Sequence, residues 1–281
     1  MPTNPRPRIA IPMPHSIDQE YAERAIPQYE RAVEQAGGEP VRIPLNQTSD
    51  QLMKIEVLKI MESCNGVLLP GSKADVDPSK FGAQRSPQTA AADPRRDSVD
   101  ELLLQDAYKR RQPVLGICYG LQSLNVFCAG SLIQHIPDFL PEDLRTRVDH
   151  EAGKKVAVAH TVEIEGDSKL QDILGRADKR MIPVNSSHHQ SADVIGNGLH
   201  IAARCPDDGI VEALEGTASD HFVLAVQWHP ERSVNEDEPS RAIFRALIEA
   251  ARIEAAQIES AQIESAQIEA VKIKAAATRL K

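Results

Sequence analysis

The feature that most constrains the fold is the regular alternation of short apolar runs with longer segments of helical period. In the first half these runs are "RIAIPMP", "PVRIPL", "GVLLPG" and "PVLGIC", and helical patterns cover residues 18–36, 49–63, 98–111 and 119–129. Strands separated by helices of about 10 to 18 residues predict parallel βαβ units, because parallel strands need a crossover of that length. The alternation favours an α/β fold with a doubly wound sheet, in which ligands bind beyond the carboxyl ends of the strands.

The second half of the chain is richer in strand patterns. It contains "KKVAVAHTVEIEG", "LHIAARC", "GIVEALE" and "HFVLAVQWHPE", which we interpret as hairpins added to the same sheet. A polar loop of about 25 residues follows "GVLLPG", and a loop of that length in a compact domain is often functional. We therefore expect one domain over residues 1–250.

The last segment, residues 251–281, has a different composition. It lacks Gly and Pro, and isoleucine recurs every five residues in "RIEAAQIESAQIESAQIEAVKIK". Steps of five residues carry successive isoleucines around a helix axis, so they form neither one stripe nor a heptad seam. We expect a long, solvated helical tail; the alternative is a tail that mediates self-association into a homo-oligomer.

Composition limits the classes of partner. The chain has 281 residues, a formal net charge of −9 and 4% aromatic residues, which makes nucleic acid an unsuitable partner. No apolar run approaches the roughly 18 to 20 residues that span a bilayer, and no secretory signal is evident. The four cysteines include no C-x-x-C pair, so we expect free thiols in a cytoplasmic protein with no membrane partner.

One cysteine lies between two glycines directly after the fourth apolar run, in "VLGICYG". Gly116, Cys118 and Gly120 have the spacing of the nucleophile elbow, a tight strand-to-helix turn in which larger flanking side chains would collide. The helix that follows would favour the thiolate form of Cys118, and the backbone N–H of Tyr119 would face a developing oxyanion. The alternative is a buried structural cysteine at an ordinary turn.

A base for this thiol is predicted where the apolar strand "FVLAVQ" runs into "WHPE". Pro230 favours extended geometry at His229, so the side chains of His229 and Glu231 are expected on the same side of the chain. Glu231 would then hold the imidazole in one tautomer. Cys118, His229 and Glu231 thus form a candidate nucleophile, base and orienting acid. For an isolated His-Pro-Glu, a loop cap is the alternative.

These motifs resemble the class I glutamine amidotransferase superfamily, and within it the γ-glutamyl-γ-aminobutyrate hydrolase branch. The matching segments are "GVLLPGSKADVDPSKFG", "PVLGICYGLQSLNV", "VNSSHHQ" and "VLAVQWHPERS", which occur in family order across residues 8–250. The resemblance implies a flavodoxin-like core, a mostly parallel central sheet flanked by helices. It also implies that Cys118, His229 and Glu231 act as a catalytic triad.

The resemblance further indicates an oxyanion hole and a substrate site. The family uses two backbone N–H groups for the oxyanion, and these correspond to Tyr119 and to either Gly71 or Ser72. The substrate contacts it implies are Gln122, Ser187, His188, His189 and Gln190. A second glycine is usual in the family at the position of Ser72, and arginine is frequent in this branch at that of Tyr119, so the leaving amine stays open.

Two other pairs of residues deserve a test as metal ligands. His188 and His189 are adjacent, but neighbours in an extended chain point apart, and no cluster of cysteines or carboxylates accompanies them in the sequence. Asp75 and Asp77 lie in "ADVDP", which lacks the spacing of an EF-hand loop. We therefore expect no metal and no cofactor, and we expect the two aspartates to serve turns and caps beside the cleft.

The predicted reaction is hydrolysis of the amide bond of a small γ-glutamyl molecule through a thioester on Cys118. One alternative is a glutaminase subunit that delivers ammonia to a separate synthetase, since the chain carries no P-loop of its own. Another is a catalytically silent binding module on the same fold.

Overall fold

The computed structural model describes residues 6–45, 48–175 and 180–257. Its strands are β1 (Arg8–Pro12), β2 (Glu39–Ile43), β3 (Gly66–Leu69), β4 (Val114–Ile117), β5 (Leu132–Ile133), β6 (His160–Ile164), β7 (Met181–Val184), β8 (Ser191–Ala192), β9 (Leu199–Arg204), β10 (Val211–Gly216) and β11 (Val223–Val226). Its helices are α1 (Gln19–Gln35), α2 (Asp50–Met61), α3 (Pro94–Arg110), α4 (Tyr119–Phe127), α5 (Ile136–Phe139), α6 (Glu142–Arg145), α7 (Lys169–Leu174) and α8 (residues 238–257), with short 3-10 helices at Pro78–Phe81, Ala152–Lys154 and Pro230–Arg232.

Nine strands form one sheet in the order β2-β1-β3-β4-β11-β10-β9-β6-β7. Strands β2, β1, β3, β4 and β11 pair in parallel, and β10, β9, β6 and β7 extend the sheet by antiparallel pairing. The parallel half has the flavodoxin-like arrangement, in which the order of strands reverses between β1 and β3. The predicted α/β sheet is confirmed, and the strands of the second half do belong to it.

Strands β3, β4 and β11 are buried along their whole length. This is expected where parallel strands are covered by helices on both faces, and it explains why their sequences are continuous apolar runs rather than alternating ones. Their carboxyl ends meet at one edge of the sheet, where Gly71, Cys118 and His229 each follow a strand within a few residues.

One helix and one strand begin at residues other than those expected. Helix α3 begins at Pro94 rather than at residue 98, because Asp93 caps it by accepting a hydrogen bond from the backbone N–H of Arg96. The segment "KKVAVAHTVEIEG" forms a strand only from His160 onward. Val158, just before that point, is exposed. The apolar pattern therefore predicted a longer strand than the structure contains.

The predicted tail begins inside a helix that packs on the core. Helix α8 runs across residue 250 without a break, and its side chains Ile243, Leu247, Ile248 and Ala251 are buried. Residues 258–281, which hold most of the isoleucine repeat, lie outside the described residues. Of the helices in the described ranges, none combines the length and the apolar character that a membrane span requires.

A buried ion pair ties α3 to the loops that follow β1 and β3. Arg96 and Asp100 are fully buried, and Nε of the arginine lies 2.6 Å from Oδ1 of the aspartate. The same guanidinium donates to the carbonyl oxygens of Pro14 and Pro70, at 3.2 and 2.7 Å. Arg96 therefore fixes both loops at the point where the strand order reverses.

Replacing Arg96 with methionine should lower the free energy of unfolding by about 3–5 kcal/mol, because the Asp100 carboxyl would lose its cation inside the core. Burial raises the pKa of Asp100 despite the attraction of Arg96, which shows how unfavourable that site is for an isolated charge. The double variant Arg96→Met/Asp100→Leu should recover most of the loss in urea denaturation. Equal destabilisation of the single and double variants would contradict this account.

Candidate active site

The predicted nucleophile lies at the junction of β4 and α4. Cys118 has φ 53° and ψ −104°, a strained conformation of the kind found at nucleophile elbows. A Cβ added to Gly116 would lie 2.8 Å from the carbonyl carbon of Gly120, and one added to Gly120 would lie 2.2 Å from the backbone oxygen of Leu69. The close approach of three backbone segments therefore requires glycine at both flanking positions.

The predicted base is held beside this turn by the sheet. Strand β11 pairs in parallel with β4, so His229 leaves its strand next to the turn that holds Cys118. A Cβ added to Gly71 would lie 3.0 Å from Cε1 of His229 and 3.6 Å from Cβ of Cys118. The imidazole and the cysteine therefore flank the same glycine.

Glu231 reaches His229 by a route that the sequence analysis described incorrectly. The Nδ1 atom of His229 donates to Oε1 of Glu231 at 2.8 Å, and both side chains are buried. Pro230 begins a 3-10 helix over Pro230–Arg232 rather than continuing an extended chain. The carboxylate thus returns to the imidazole through a tight helical turn, and the pleat of a strand is not involved.

Asn185 secures the backbone of His229 from the opposite side. Its Oδ1 accepts from the backbone N–H of His229 at 2.9 Å, and its Nδ2 donates to the backbone oxygen of His229 at 3.0 Å. Its Nδ2 also lies 2.7 Å from Oγ of Ser233. Asn185 lies in the segment "VNSSHHQ", but nothing in the spacing of that segment shows which side chain faces the histidine.

The electrostatics of the pair favour a protonated imidazole. Burial opposes the charge on His229, but the Glu231 carboxylate and the Cys118 sulfur outweigh it and raise the pKa of His229 to about 9. Burial likewise opposes the charge on Glu231, and the attraction of His229 is strong enough to lower the pKa of this carboxyl. His229 and Glu231 therefore hold each other in their charged forms.

The structure distinguishes between the two residues predicted for one side of the oxyanion hole. The backbone N–H of Gly71 donates to the hydroxyl of Tyr29 at 3.0 Å, so it is already engaged. Within the described ranges, the backbone N–H groups of Ser72 and Tyr119 have no hydrogen-bond acceptor. Of the three predicted oxyanion-hole residues, Ser72 and Tyr119 therefore keep a backbone N–H without an acceptor in the described ranges.

The side chain of Tyr119 serves the core rather than the cleft. It is almost fully buried, and its hydroxyl donates to the carboxylate of Asp97. Its ring lies 4.8 Å from the guanidinium carbon of Arg96. The residue that follows the predicted nucleophile therefore links the elbow to α3, while its backbone stays at the cleft.

Cys118 borders a cleft of about 510 Å³. Most of the predicted site residues line this cleft, namely Ser72, Cys118, Tyr119, Gln122, Ser187, His188, His189, Gln190 and His229. Glu231 contacts His229 instead, and Gly71 lies where an added Cβ would meet the imidazole. The predicted residues thus gather around one cavity.

The predicted substrate contacts divide by what their side chains already bind. Ser187 and His189 lie at the cleft with partners of their own, since Ser187 accepts from Arg232 at 2.9 Å and His189 lies 3.0 Å from Asp75. Asp75 also accepts from the backbone N–H of Ala90 at 2.6 Å. Asp75 thus shapes the wall of the cleft.

The other three predicted contacts are buried in the wall. Gln122 donates to the backbone oxygen of Gln190 and to the side chain of Gln227, both at 3.3 Å. His188 places Nδ1 2.8 Å from the same oxygen of Gln190, and the Gln190 amide donates to the carbonyl of Gln134 at 3.2 Å. Their polar groups are largely engaged within the protein.

Arg232 is a cleft residue that the sequence analysis missed. Its side chain is about one third exposed, and its guanidinium lies 3.6 Å from Glu231 as well as against Ser187. Two further cations, Lys73 and Lys154, line the same cleft. The position of Arg232 directly after "HPE" indicated that it lies near the predicted site. The direction of its side chain, however, depends on the 3-10 helix, which the sequence did not predict.

Comparison with known proteins places this geometry in a family. The Peptidase C26 family matches the chain over residues 10–231. The chain belongs to this family, which is class I glutamine amidotransferase-like. Among its relatives, this Peptidase C26 protein is 34% identical over 226 residues to the γ-glutamyl-γ-aminobutyrate hydrolase of Escherichia coli O157:H7, covering 80% of this chain and 85% of that protein. A glutamine amidotransferase-like protein of Rickettsia prowazekii is 31% identical over 258 residues, with 80% and 88% covered.

Solved structures share the fold of this Peptidase C26 protein at low identity. The glutaminase domain of Trypanosoma brucei CTPS with bound acivicin superposes with a TM-score of 0.58 at 18% identity, covering 87% of this chain and 93% of that one. A GMP synthase protein from Thermoplasma acidophilum gives a TM-score of 0.58 at 13% identity, covering 92% and 100%. The expected flavodoxin-like architecture is confirmed by these neighbours.

Replacing Glu231 with glutamine should lower the pKa of His229 from about 9, because burial would then act against the charge with less opposition. Folding raises the pKa of His229, so its contribution to stability is complete below about pH 6.5 and is lost as pH rises through about 9. NMR titration of labelled histidine would measure this pKa in the wild-type and variant proteins. Glu238→Gln, an exposed carboxylate variant, is the control, and an unchanged His229 pKa in Glu231→Gln would refute the assignment.

Proposed function

We propose that this Peptidase C26 protein is a cysteine-dependent hydrolase that cleaves the amide bond of small γ-glutamyl compounds. The observation that carries the proposal is the strained Cys118 next to the buried His229–Glu231 pair at a polar cleft. The similarity to a γ-glutamyl-γ-aminobutyrate hydrolase at 34% identity supports the substrate class. A reducing cytoplasm would suit an enzyme that depends on a free thiol.

In the first half of the reaction, the Cys118 thiolate attacks the γ-carbonyl carbon of the substrate. The carbonyl oxygen takes the negative charge and is stabilised by the backbone N–H groups of Ser72 and Tyr119. The protonated His229 then gives its proton to the leaving nitrogen, the C–N bond breaks, and a γ-glutamyl thioester remains on the sulfur. A pKa of about 9 for His229 keeps this proton available at neutral pH.

In the second half, the neutral imidazole of His229 removes a proton from water as the water attacks the thioester. The C–S bond breaks, glutamate leaves, and the thiolate and the imidazolium are restored. Glu231 holds the imidazole in the tautomer that presents Nε2 to the reacting atoms. Asn185 supports the same orientation through both of its hydrogen bonds to the His229 backbone.

The charges of the cleft suit a γ-glutamyl group, which carries an α-carboxylate and an α-ammonium. Arg232 offers a planar guanidinium that can bind a carboxylate through two parallel hydrogen bonds. Asp75 and Glu151 supply negative charge in the same cleft. These groups act on the glutamyl half that all such substrates share, so they leave the identity of the amine to other contacts.

Cys118→Ala should lower kcat by roughly 10³-fold or more, because the loss of the nucleophile removes the thioester route. An electrophilic glutamine analogue should label Cys118 in the wild-type protein, as peptide mass spectrometry would record. Cys128→Ser, which retains a partner for the Tyr108 hydroxyl that lies 3.3 Å from Sγ, should remain active and be labelled normally. Full activity in Cys118→Ala, or labelling elsewhere, would exclude the mechanism.

Arg232→Met should lower kcat/KM about 10- to 100-fold, mainly through KM, because a charge-assisted contact to the substrate carboxylate is lost. Steady-state kinetics on a γ-glutamyl amine would measure this. Arg241→Met is the matched control, since Arg241 pairs with Glu238 on the surface. If KM stays the same in Arg232→Met, the carboxylate binds elsewhere in the cleft.

A screen of γ-glutamyl amines and glutamine for release of glutamate would separate the remaining alternatives. Hydrolysis by the isolated chain supports the proposal. Glutaminase activity that requires a copurifying protein would instead indicate a subunit that supplies ammonia to a synthetase. A chain that hydrolyses none of these compounds, yet keeps its fold, would be a binding module.

A further inference from the structure

A second group of buried polar side chains lies in the part of the protein that forms one wall of the cleft. This histidine cluster consists of His150, His160, His188 and Glu212, whose potential ligand atoms all lie within 4.8 Å of one another. Its members come from the segment after α6, from β6, from the loop after β7 and from β10. Their exposed fractions are 4%, 8%, 3% and 0%, so the cluster is largely shielded from solvent.

Each histidine of the cluster uses one ring nitrogen for an outward contact. These contacts join His150 Nε2 to Oδ2 of Asp208 (2.8 Å), His160 Nδ1 to the backbone oxygen of Thr161 (3.1 Å) and His188 Nδ1 to the backbone oxygen of Gln190 (2.8 Å). A carbonyl or an ionised carboxylate can only accept, so the proton of each neutral ring lies on the outward nitrogen. The inward nitrogens then present lone pairs to a common centre.

The inward nitrogens all face one carboxylate oxygen. Oε1 of Glu212 lies 3.1 Å from Nδ1 of His150, 3.4 Å from Nε2 of His160 and 3.5 Å from Nε2 of His188. In the described part of the chain, none of these three nitrogens and neither oxygen of Glu212 has a hydrogen-bond partner. Buried polar groups without partners are unfavourable, and one cation shared by all four residues would satisfy these groups together.

The three separations from Oε1 are close to the edges of a tetrahedral coordination shell. With bonds of about 2.0–2.1 Å to nitrogen and oxygen, neighbouring ligands of a tetrahedral Zn²⁺ lie roughly 3.3–3.4 Å apart. The outward contacts to a carboxylate and to backbone carbonyls are those that orient zinc-binding histidines. We propose that His150, His160, His188 and Glu212 bind one Zn²⁺ ion in a structural site.

The donor set selects this class of ion. Three imidazoles and one carboxylate suit Zn²⁺, whereas Mg²⁺ and Ca²⁺ prefer shells made of oxygen. Four protein ligands complete the tetrahedron and leave no position for water, as in structural rather than catalytic zinc sites. A proton on one imidazole would neutralise Glu212, but it would satisfy only one inward nitrogen and would leave the other two lone pairs facing each other.

The proposed ion would stabilise the wall of the cleft. His188 belongs to the loop after β7, and its neighbours Ser187, His189 and Gln190 line the cleft. The ion would join this loop to β6 and β10. Its removal should therefore loosen the cleft wall while the parallel half of the sheet, which carries Cys118, stays folded.

The test uses the full chain, expressed with zinc and freed of any affinity tag. After dialysis against a weak chelator, elemental analysis should find about one zinc per chain. A strong chelator should lower the melting temperature, and ZnCl₂ alone should restore it. A tetrahedral Co²⁺ derivative should show the intense visible absorption of that geometry. A folded wild-type protein that retains no zinc, and whose melting temperature does not respond to ZnCl₂, would overturn the proposal.

Two variants and a matched control make the test specific. His160→Gln should abolish stoichiometric zinc, and Asp208→Asn, which keeps all four ligands, should weaken zinc affinity about 10- to 100-fold in a chelator competition. His221→Gln is the control, because His221 is also buried and bonds a backbone carbonyl, that of Gln112, but lies outside the cluster. Circular dichroism establishes folding. Full zinc in both variants would exclude these ligands.

Discussion

The contact of three backbone segments at the end of β4 is the constraint on which the site depends. The chain can turn sharply at Cys118 because Gly116 and Gly120 have no side chains. The backbone before and after the turn can therefore approach each other and the backbone oxygen of Leu69. This contact fixes β3 and β4 to each other at their carboxyl ends. Since β11 pairs with the other edge of β4, His229 is delivered to the same place by backbone geometry alone.

The same side-chain type behaves in opposite ways in this protein because the partners differ. Burial lowers the pKa of His221, whose ring contacts a backbone carbonyl, whereas the Glu231 carboxylate overcomes burial and raises that of His229. The position of a carboxylate two residues along the chain therefore decides whether a buried imidazole is neutral or cationic. The 3-10 turn at Pro230 provides that position, and Asn185 secures the backbone of His229 beside it.

Features that depend on local sequence could be predicted, and those that depend on long-range contacts could not. The alternation of apolar runs was sufficient for the parallel sheet, and the flanking glycines were sufficient for the turn at Cys118. The engagement of Gly71 by Tyr29 and the role of Asn185 arise from residues far apart in the chain. The histidine cluster is the clearest case, since adjacency of His188 and His189 suggested no ligand set, while His150, His160 and Glu212 are distant in sequence.

The loop after β7 has consequences for how relatives of this protein can diverge. Asn185 secures His229, His188 belongs to the histidine cluster, and Gln190 donates to the backbone oxygen of Gln134, so three positions of one short segment are committed to different neighbours. Insertions or deletions here would disturb all three at once. New substrate preferences are therefore expected to evolve by point substitution at Ser187 and His189, whose side chains meet the cleft, rather than by changes in the length of this loop.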